Sequence, residues 1–218
     1  MTGPRPMPHR GLYAISGDGL AGETLMERCE AVLAGGAVML QYRDKDSPSA
    51  RRRADAEGLL RLTRRHGVPL VINDDLELAA TIGADGVHLG QEDVDITTAR
   101  RALGPRGIIG VSCYDRPDAA VAAQEAGADY VAFGRFFPSS SKPGASGAPI
   151  EVLSRARPRL RIPVVAIGGI REENGAALLA AGADLLAVIG ALFEAPDPRR
   201  AATGFQRLFE QPSHPPGN

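Results

Sequence analysis

The sequence is short of the features that mark several protein classes. Its 218 residues include two cysteines, Cys29 and Cys113, too few and too far apart for a disulfide framework or a thiolate metal site. No apolar run reaches the length of about 18 residues that a spanning helix needs, and the Pro-rich start MTGPRPMPHRG has no apolar stretch of the kind that marks a signal peptide. Charge of one sign is missing too. The 25 basic residues are balanced by 26 acidic ones, leaving a net charge of −1, so no global field favours a nucleic acid or a membrane surface. The arginine clusters at 51–53, 64–65 and 100–101 are interspersed with acids or fall on solvated helix faces. The expectation is a cytoplasmic protein that binds neither nucleic acid nor membrane. Homo-oligomerisation is left open.

What is present is a repeated beat. A hydrophobic fraction of 44% suits a globular chain, and the length suits one domain with one sizeable core. Short apolar runs at 12–16 (LYAIS), 38–42 (VMLQY), 69–73 (PLVIN), 86–90 (GVHLG), 107–112 (GIIGVS), 129–134 (DYVAFG), 163–169 (PVVAIGG) and 184–190 (DLLAVIG) read as strands. Helical spacing follows each. At 23–34 it places Leu25, Cys29, Val32 and Leu33 on one face, with Cys29 as a small buried residue. Further helices are expected from Ser47–Pro48 to about His66, at 76–82, 96–103, 117–126, from about 149, at 172–181 and at 198–209. Ser47 then Pro48 reads as N-cap and first helical residue. Residues 1–10 and 211–218 read as loose tails around a domain at 11–210.

Continuously apolar strands alternating with helices imply a parallel sheet buried on both faces. An internal echo supports closure of that sheet. Gly83-Ala84-Asp85, Gly127-Ala128-Asp129 and Gly182-Ala183-Asp184 each stand just before a strand, as repeated units would. The expected fold is a single α/β (β/α)8 TIM barrel. A doubly wound sheet is the rival, but it would concentrate polar residues at one crevice, whereas here they follow nearly every strand.

In a barrel all these strand ends face one mouth. They are Gln41-Tyr42-Arg43-Asp44-Lys45, Asn73-Asp74-Asp75, His88 to Asp93, Ser112, the stretch from Gly134 to Lys142, Gly168-Gly169 and Ile189-Gly190. Asp74 and Asp93 are hard oxygen ligands of the kind Mg²⁺ takes when water and phosphate oxygens complete its shell. Arg43, Lys45 and Lys142 are cations for a diphosphate. The glycines after strands seven and eight offer backbone N–H groups to a phosphate. Plainer readings compete: glycine serves any tight turn, Asp75 reads as an N-cap, His88 as a packed histidine, His66 as a helix-end residue and Cys113 as a bystander. Tyr13 and Ser16 are left undecided.

The ordered set QYRDK, INDD, GVHLGQED, GVSCY, DYVAFGRFFPSSSK, AIGGI and GADLLAVIGAL closely resembles the thiamine phosphate synthase family over about residues 11–210. The resemblance implies a transferase acting on small phosphorylated substrates. Gln41, Tyr42, Arg43, Asp44, Lys45 and Asn73 would bind a pyrimidine diphosphate, Ser112 and Lys142 would add diphosphate contacts, and Arg43, Lys45, Ser112 and Lys142 would be catalytic. Ser139, Ser140, Ser141, Gly169, Ile189 and Gly190 would bind a thiazole phosphate. Asp74 and Asp93 would hold Mg²⁺. Ser139 and Ser141 stand where the family often has threonine, keeping the hydroxyls. Gly190 stands where it often has serine, leaving only the backbone N–H, and Arg135-Phe136-Phe137 replaces a Pro-x-[FY] pattern. The loop at 139–147 is the candidate lid. The related thiazole tautomerase would need a proton-shuttling base but no cation set, and a non-catalytic barrel binding a phosphorylated ligand would need no metal ligands.

Overall fold

The computed structural model describes residues 5–17, 19–90, 93–138 and 147–210. Eight parallel strands close into a barrel in chain order: β1 (Gly11–Ile15), β2 (Met39–Tyr42), β3 (Leu70–Asn73), β4 (Gly86–Leu89), β5 (Ile108–Tyr114), β6 (Tyr130–Gly134), β7 (Val164–Ile167) and β8 (Leu185–Val188). The helices between them are α1 (Gly22–Ala34), α2 (Ser49–His66), α3 (Leu76–Ile82), α4 (Ile96–Leu103), α5 (Pro117–Glu125), α6 (Glu151–Ala156) and α7 (Glu172–Ala180). A short α8 (Gly190–Phe193) and the closing α9 (Pro198–Glu210) follow β8. No described helix is long and apolar enough to cross a membrane.

Strand alternation divides the core in two. Tyr13, Met39, Val71, Ile108, Tyr130, Val165 and Leu185 fill the barrel interior. Their neighbours, such as Leu12, Leu40, Ile72, Val131 and Leu186, pack outward against the helices. The α1 face buries Leu25, Cys29, Val32 and Leu33. The expected start of α2 shifts by one residue: Pro48 is the N-cap and Ser49 the first helical residue. Ser47 instead bonds the Asp44 carboxylate, through its N–H at 3.0 Å and through its side chain. The α8 turn was not expected; four residues are too few for a helical period to show.

The echoed aspartates latch neighbouring strands at the N-terminal end of the barrel. Asp85, Asp129 and Asp184 accept the N–H of Leu70, Ile109 and Val164, each at 2.8 or 2.9 Å. Those N–H groups lie at the first residue of β3 and β7 and the second of β5, and each aspartate directly precedes the next strand. Arg100 and Arg157 donate to the same oxygens of Asp129 and Asp184, at 2.6 and 2.7 Å. Gly36-Ala37-Val38 before β2 carries valine in place of this aspartate, and Gly11 opposite it has no room for a Cβ against the Val38 side chain. Residues 5–10, read from sequence as part of a tail, lie on the same end. Arg5 donates its N–H to Asp85, Met7 packs on the interior cluster, and the Arg10 guanidinium sits 5.5 Å from the Phe209 ring centroid. The loose ends expected at 1–4 and 211–218 lie outside the described residues.

The latch generates a test. Asp129→Ala leaves the Ile109 N–H and the Arg100 guanidinium without their shared acceptor, and is expected to cost about 1–3 kcal/mol. Urea denaturation checks this; an unchanged midpoint would remove the latch from the account of stability.

Candidate active site

Strand geometry brings most of the expected residues to one place. Gln41, Arg43, Lys45, Asn73, Asp74, Asp93, Ser112, Gly169, Ile189 and Gly190 all line one cavity of about 1220 Å³ at the C-terminal mouth. Tyr42 and Asp44 do not join them. Alternation turns Tyr42 away from the interior, and its ring, 2% exposed, packs in the layer between barrel and helices. The Asp44 carboxylate accepts the N–H groups of Asp46 and Ser47 at 3.1 and 3.0 Å and the Tyr42 hydroxyl at 3.3 Å. Both therefore shape the loop after β2 that carries Arg43 and Lys45. Ser139, Ser140, Ser141 and Lys142 lie outside the described residues, as does most of the expected lid.

Ser16, undecided from sequence, is fully buried and clamps Arg43. Its Oγ accepts the Arg43 N–H at 2.8 Å and donates to the Arg43 carbonyl at 3.2 Å. Across the mouth, Asp74 stands in the left-handed region, φ 61°, which aspartate tolerates better than most residues. Its N–H donates to the His88 carbonyl at 2.8 Å, and its carboxylate meets the Lys45 ammonium at 3.1 Å. Asp75 is the α3 N-cap, accepting the Leu78 N–H.

Asp93 accepts the Gly90 N–H at 2.5 Å and is near enough to the Asp74 carboxyl to be acted on by it. Partial burial pushes the Asp93 carboxyl upward. The Gly90 N–H opposes that, and the Asp74 charge adds to it. Two carboxyls in this relation leave unbalanced negative charge that a hard dication would relieve. Among the described residues no cluster of three or more His, Cys, Asp or Glu side chains gathers for a metal.

The paired glycines after β7 are required by backbone proximity. A Cβ on Gly168 would overlap Arg135, and one on Gly169 would overlap the carbonyls of Phe137 and Pro138. Both have positive φ, 104° and 64°. At the next strand end, α8 begins at Gly190, and Ile189, Gly190 and Ala191 line the cavity, while the Leu192 and Phe193 N–H groups donate to the Ile189 carbonyl at 3.0 Å.

Sequence reasoning missed the floor of the cavity. His88 is not simply packed: it lies 9% exposed, with Nδ1 2.8 Å from the Tyr130 hydroxyl and Nε2 2.9 Å from Ser112 Oγ. Tyr13 bonds both Tyr130 and Gln41. The available signal was Gly110 inside a strand, since glycine there marks close approach of another group. A Cβ at Gly110 would overlap the Tyr130 ring. Tyr114, exposed and with φ 56°, also lines the cavity and gave no signal.

Fold and cavity together define a TIM-barrel enzyme with its working end at the C-terminal mouth. The comparisons narrow this. The model of the thiamine monophosphate synthase family matches residues 12–192. The chain is 54% identical to the thiamine-phosphate synthase of Thiobacillus denitrificans, over 91% of this chain and 94% of that one. It is 50% identical to that of Thioalkalivibrio sulfidiphilus, over 92% and 96%. The solved thiamine phosphate pyrophosphorylase from Pyrococcus furiosus superposes with a TM-score of 0.83 at 35% identity, covering 93% and 96%. The chain belongs to the thiamine monophosphate synthase family.

The carboxyl pair has a pH signature. A carboxyl raised by folding holds its proton more tightly folded than unfolded, so its stabilising contribution is present at low pH and fades as pH rises through the folded value. Asp93→Asn never acquires the charge. In EDTA it is expected to melt above the wild type at neutral pH, and the gap should close as pH falls through the acid range. A gap that stays constant with pH would exclude Asp93 ionisation as its source.

Proposed function

We propose that this chain joins an aminopyrimidine carrying a diphosphooxymethyl group to a thiazole carrying a phosphooxyethyl group, or to its carboxylated form. The products are thiamine phosphate and pyrophosphate. The observation that carries the reading is the gathering of Gln41, Arg43, Lys45, Asn73, Asp74, Asp93 and Ser112 around one cavity, in a chain 54% identical to a thiamine-phosphate synthase.

In a dissociative substitution the bond between the pyrimidine methylene carbon and the diphosphate oxygen breaks first, and its electron pair leaves with the diphosphate. The pyrimidine spreads the resulting positive charge through its ring and amino group. The thiazole nitrogen then gives its lone pair to the methylene carbon. Neither step needs a proton moved. The chain's task is to neutralise charge growing on the leaving group and to hold the nucleophile aligned, away from water.

Arg43 and Lys45 would bind the diphosphate, with Arg43 held at its backbone by Ser16. Gln41 and Asn73 would orient the pyrimidine, and Ser112 would bond a diphosphate oxygen. Asp74 and Asp93 would hold Mg²⁺, and the chemistry that ion supplies is positive charge on the departing oxygens. The fit is supported by the upward push on Asp93 beside Asp74. Lys142 and the hydroxyls of Ser139, Ser140 and Ser141 are assigned to the diphosphate and the thiazole phosphate by the family resemblance. The amides near Gly169, Ile189 and Gly190 would complete the thiazole phosphate site.

Formation of thiamine phosphate and pyrophosphate from the two substrates, lost in EDTA and restored by Mg²⁺, is the direct test. A tautomerase would be indifferent to the chelator, and a binding protein would turn nothing over. Asp93→Ala and Lys142→Ala are each expected to cost at least ~2 kcal/mol of transition-state stabilisation, the scale of one preorganised charge contact. Wild-type turnover in either variant would remove that residue from the site. Mg²⁺ should also raise the melting midpoint of the wild type and leave that of Asp93→Ala unmoved.

A further inference from the structure

An unbroken chain of hydrogen bonds crosses the barrel interior beneath the cavity. Gln41 Nε2 donates to the Tyr13 hydroxyl at 2.6 Å. The Tyr13 and Tyr130 hydroxyls are 2.8 Å apart. Tyr130 meets His88 Nδ1 at 2.8 Å, and His88 Nε2 meets Ser112 Oγ at 2.9 Å. The rings are locked by packing: Tyr13 and Tyr130 are edge to face at 5.9 Å, and His88 stacks on Tyr130 at 5.5 Å. Gly110 leaves the space that the Tyr130 ring fills.

The first donor sets the direction of all the others. An amide nitrogen can only donate, so the Tyr13 proton must find its own acceptor, and within the chain that is the Tyr130 oxygen. The Tyr130 proton then goes to His88 Nδ1. A neutral imidazole with an accepting Nδ1 carries its proton on Nε2, and that proton goes to Ser112 Oγ. The reverse order would leave the Tyr13 proton without an acceptor in this chain. The ring is buried and both of its nitrogens meet hydroxyl groups, the surroundings of a neutral imidazole.

We propose that Tyr13, Tyr130 and His88 are positioning residues that fix the hydrogen-bond polarity of two ligand-facing groups. Gln41 is held with its carbonyl Oε1 as the group left to accept, and Ser112 is held with its hydroxyl proton free to donate. Resting on the function proposed above, the two ends match one substrate. The exocyclic amine of the pyrimidine needs an acceptor, and the diphosphate oxygens need a donor. A reversed chain would present Gln41 as a donor to an amine and Ser112 as an acceptor to an anion, and both contacts would fail.

Two measurements on the full-length protein decide this. The first is the ¹⁵N spectrum of histidine-labelled protein without ligand, with the His88 signals assigned by their loss in His88→Gln. The Nε2–H tautomer is expected in the wild type; the Nδ1–H tautomer would overturn the polarity. The second is steady-state kinetics of Tyr130→Phe, which keeps the ring and cuts the chain. The expected result is a fall in kcat/KM for the pyrimidine diphosphate of about ten-fold or more, the scale of one lost hydrogen bond to a charged group, with the KM for the thiazole phosphate unchanged. No fall, or an equal loss for both substrates, would overturn the positioning role. A wild type that turns over neither substrate would defeat the proposed function instead, and the tautomer would still decide the polarity. Tyr13→Phe repeats the kinetic test should Tyr130→Phe not fold.

Discussion

Hydroxyl, amide and imidazole groups sealed inside a barrel must satisfy one another, because an unmet polar group there costs about 1–3 kcal/mol. That constraint organises the upper half of this molecule. Tyr13 and Tyr130 place phenol oxygens at its centre, and each is usable only because the next group accepts or donates in turn. The consequences spread outward. Gly110 has no side chain because the Tyr130 ring lies there, and Ala132, two residues on from Tyr130, lines the cavity floor as a small residue. The same interior bonds that satisfy the core also hold Gln41 and Ser112 still. Packing and ligand recognition are therefore one problem in this part of the fold.

The two ends of the barrel divide the remaining work. At the N-terminal end, carboxylates close inter-strand gaps: Asp85, Asp129 and Asp184 take backbone N–H groups, and Arg100 and Arg157 neutralise two of them. Each of these three carboxylates has partners within the fold. At the C-terminal end the balance is left open. Asp74 has Lys45, but Asp93 is pushed upward by burial and by Asp74 itself. A stability-optimised mouth would relax that pair. A bound dication would balance it, at the face where barrels carry their working groups.

The repeat of strand and helix was legible because each unit obeys local rules. Continuous apolar runs gave the strands, and helix faces such as that of α1 gave their partners. The Gly-Ala-Asp echo was visible as repetition, although its work as a strand latch depends on pairing that no local window holds. At the mouth, strand-end position sufficed for Arg43, Asp74, Asp93 and Ser112. It failed for Tyr42 and Asp44, because being near a strand end does not say which face a side chain takes. In parallel strands buried on both sides, apolar residues point both ways and the usual alternation is silent. Tyr130 was hidden for the same reason: from sequence it is one more apolar residue in DYVAFG, and only barrel closure sets it against His88 and Tyr13.

Strained backbone marks where positioning has outweighed local preference. Asp74 and Tyr114 are the non-glycine residues with positive φ among those described, and both line the cavity. Neither conformation follows from a turn that glycine would not serve better, and such positions persist only where the surroundings over-determine them. For Asp74 the surroundings are identifiable: the His88 carbonyl holds its N–H and Lys45 holds its carboxylate. The His88 backbone thus fixes one member of the carboxyl pair while its side chain fixes Ser112. The charge-balancing part of the mouth and its hydrogen-bonding part meet at this one residue, so displacement of β4 at His88 would disturb both together.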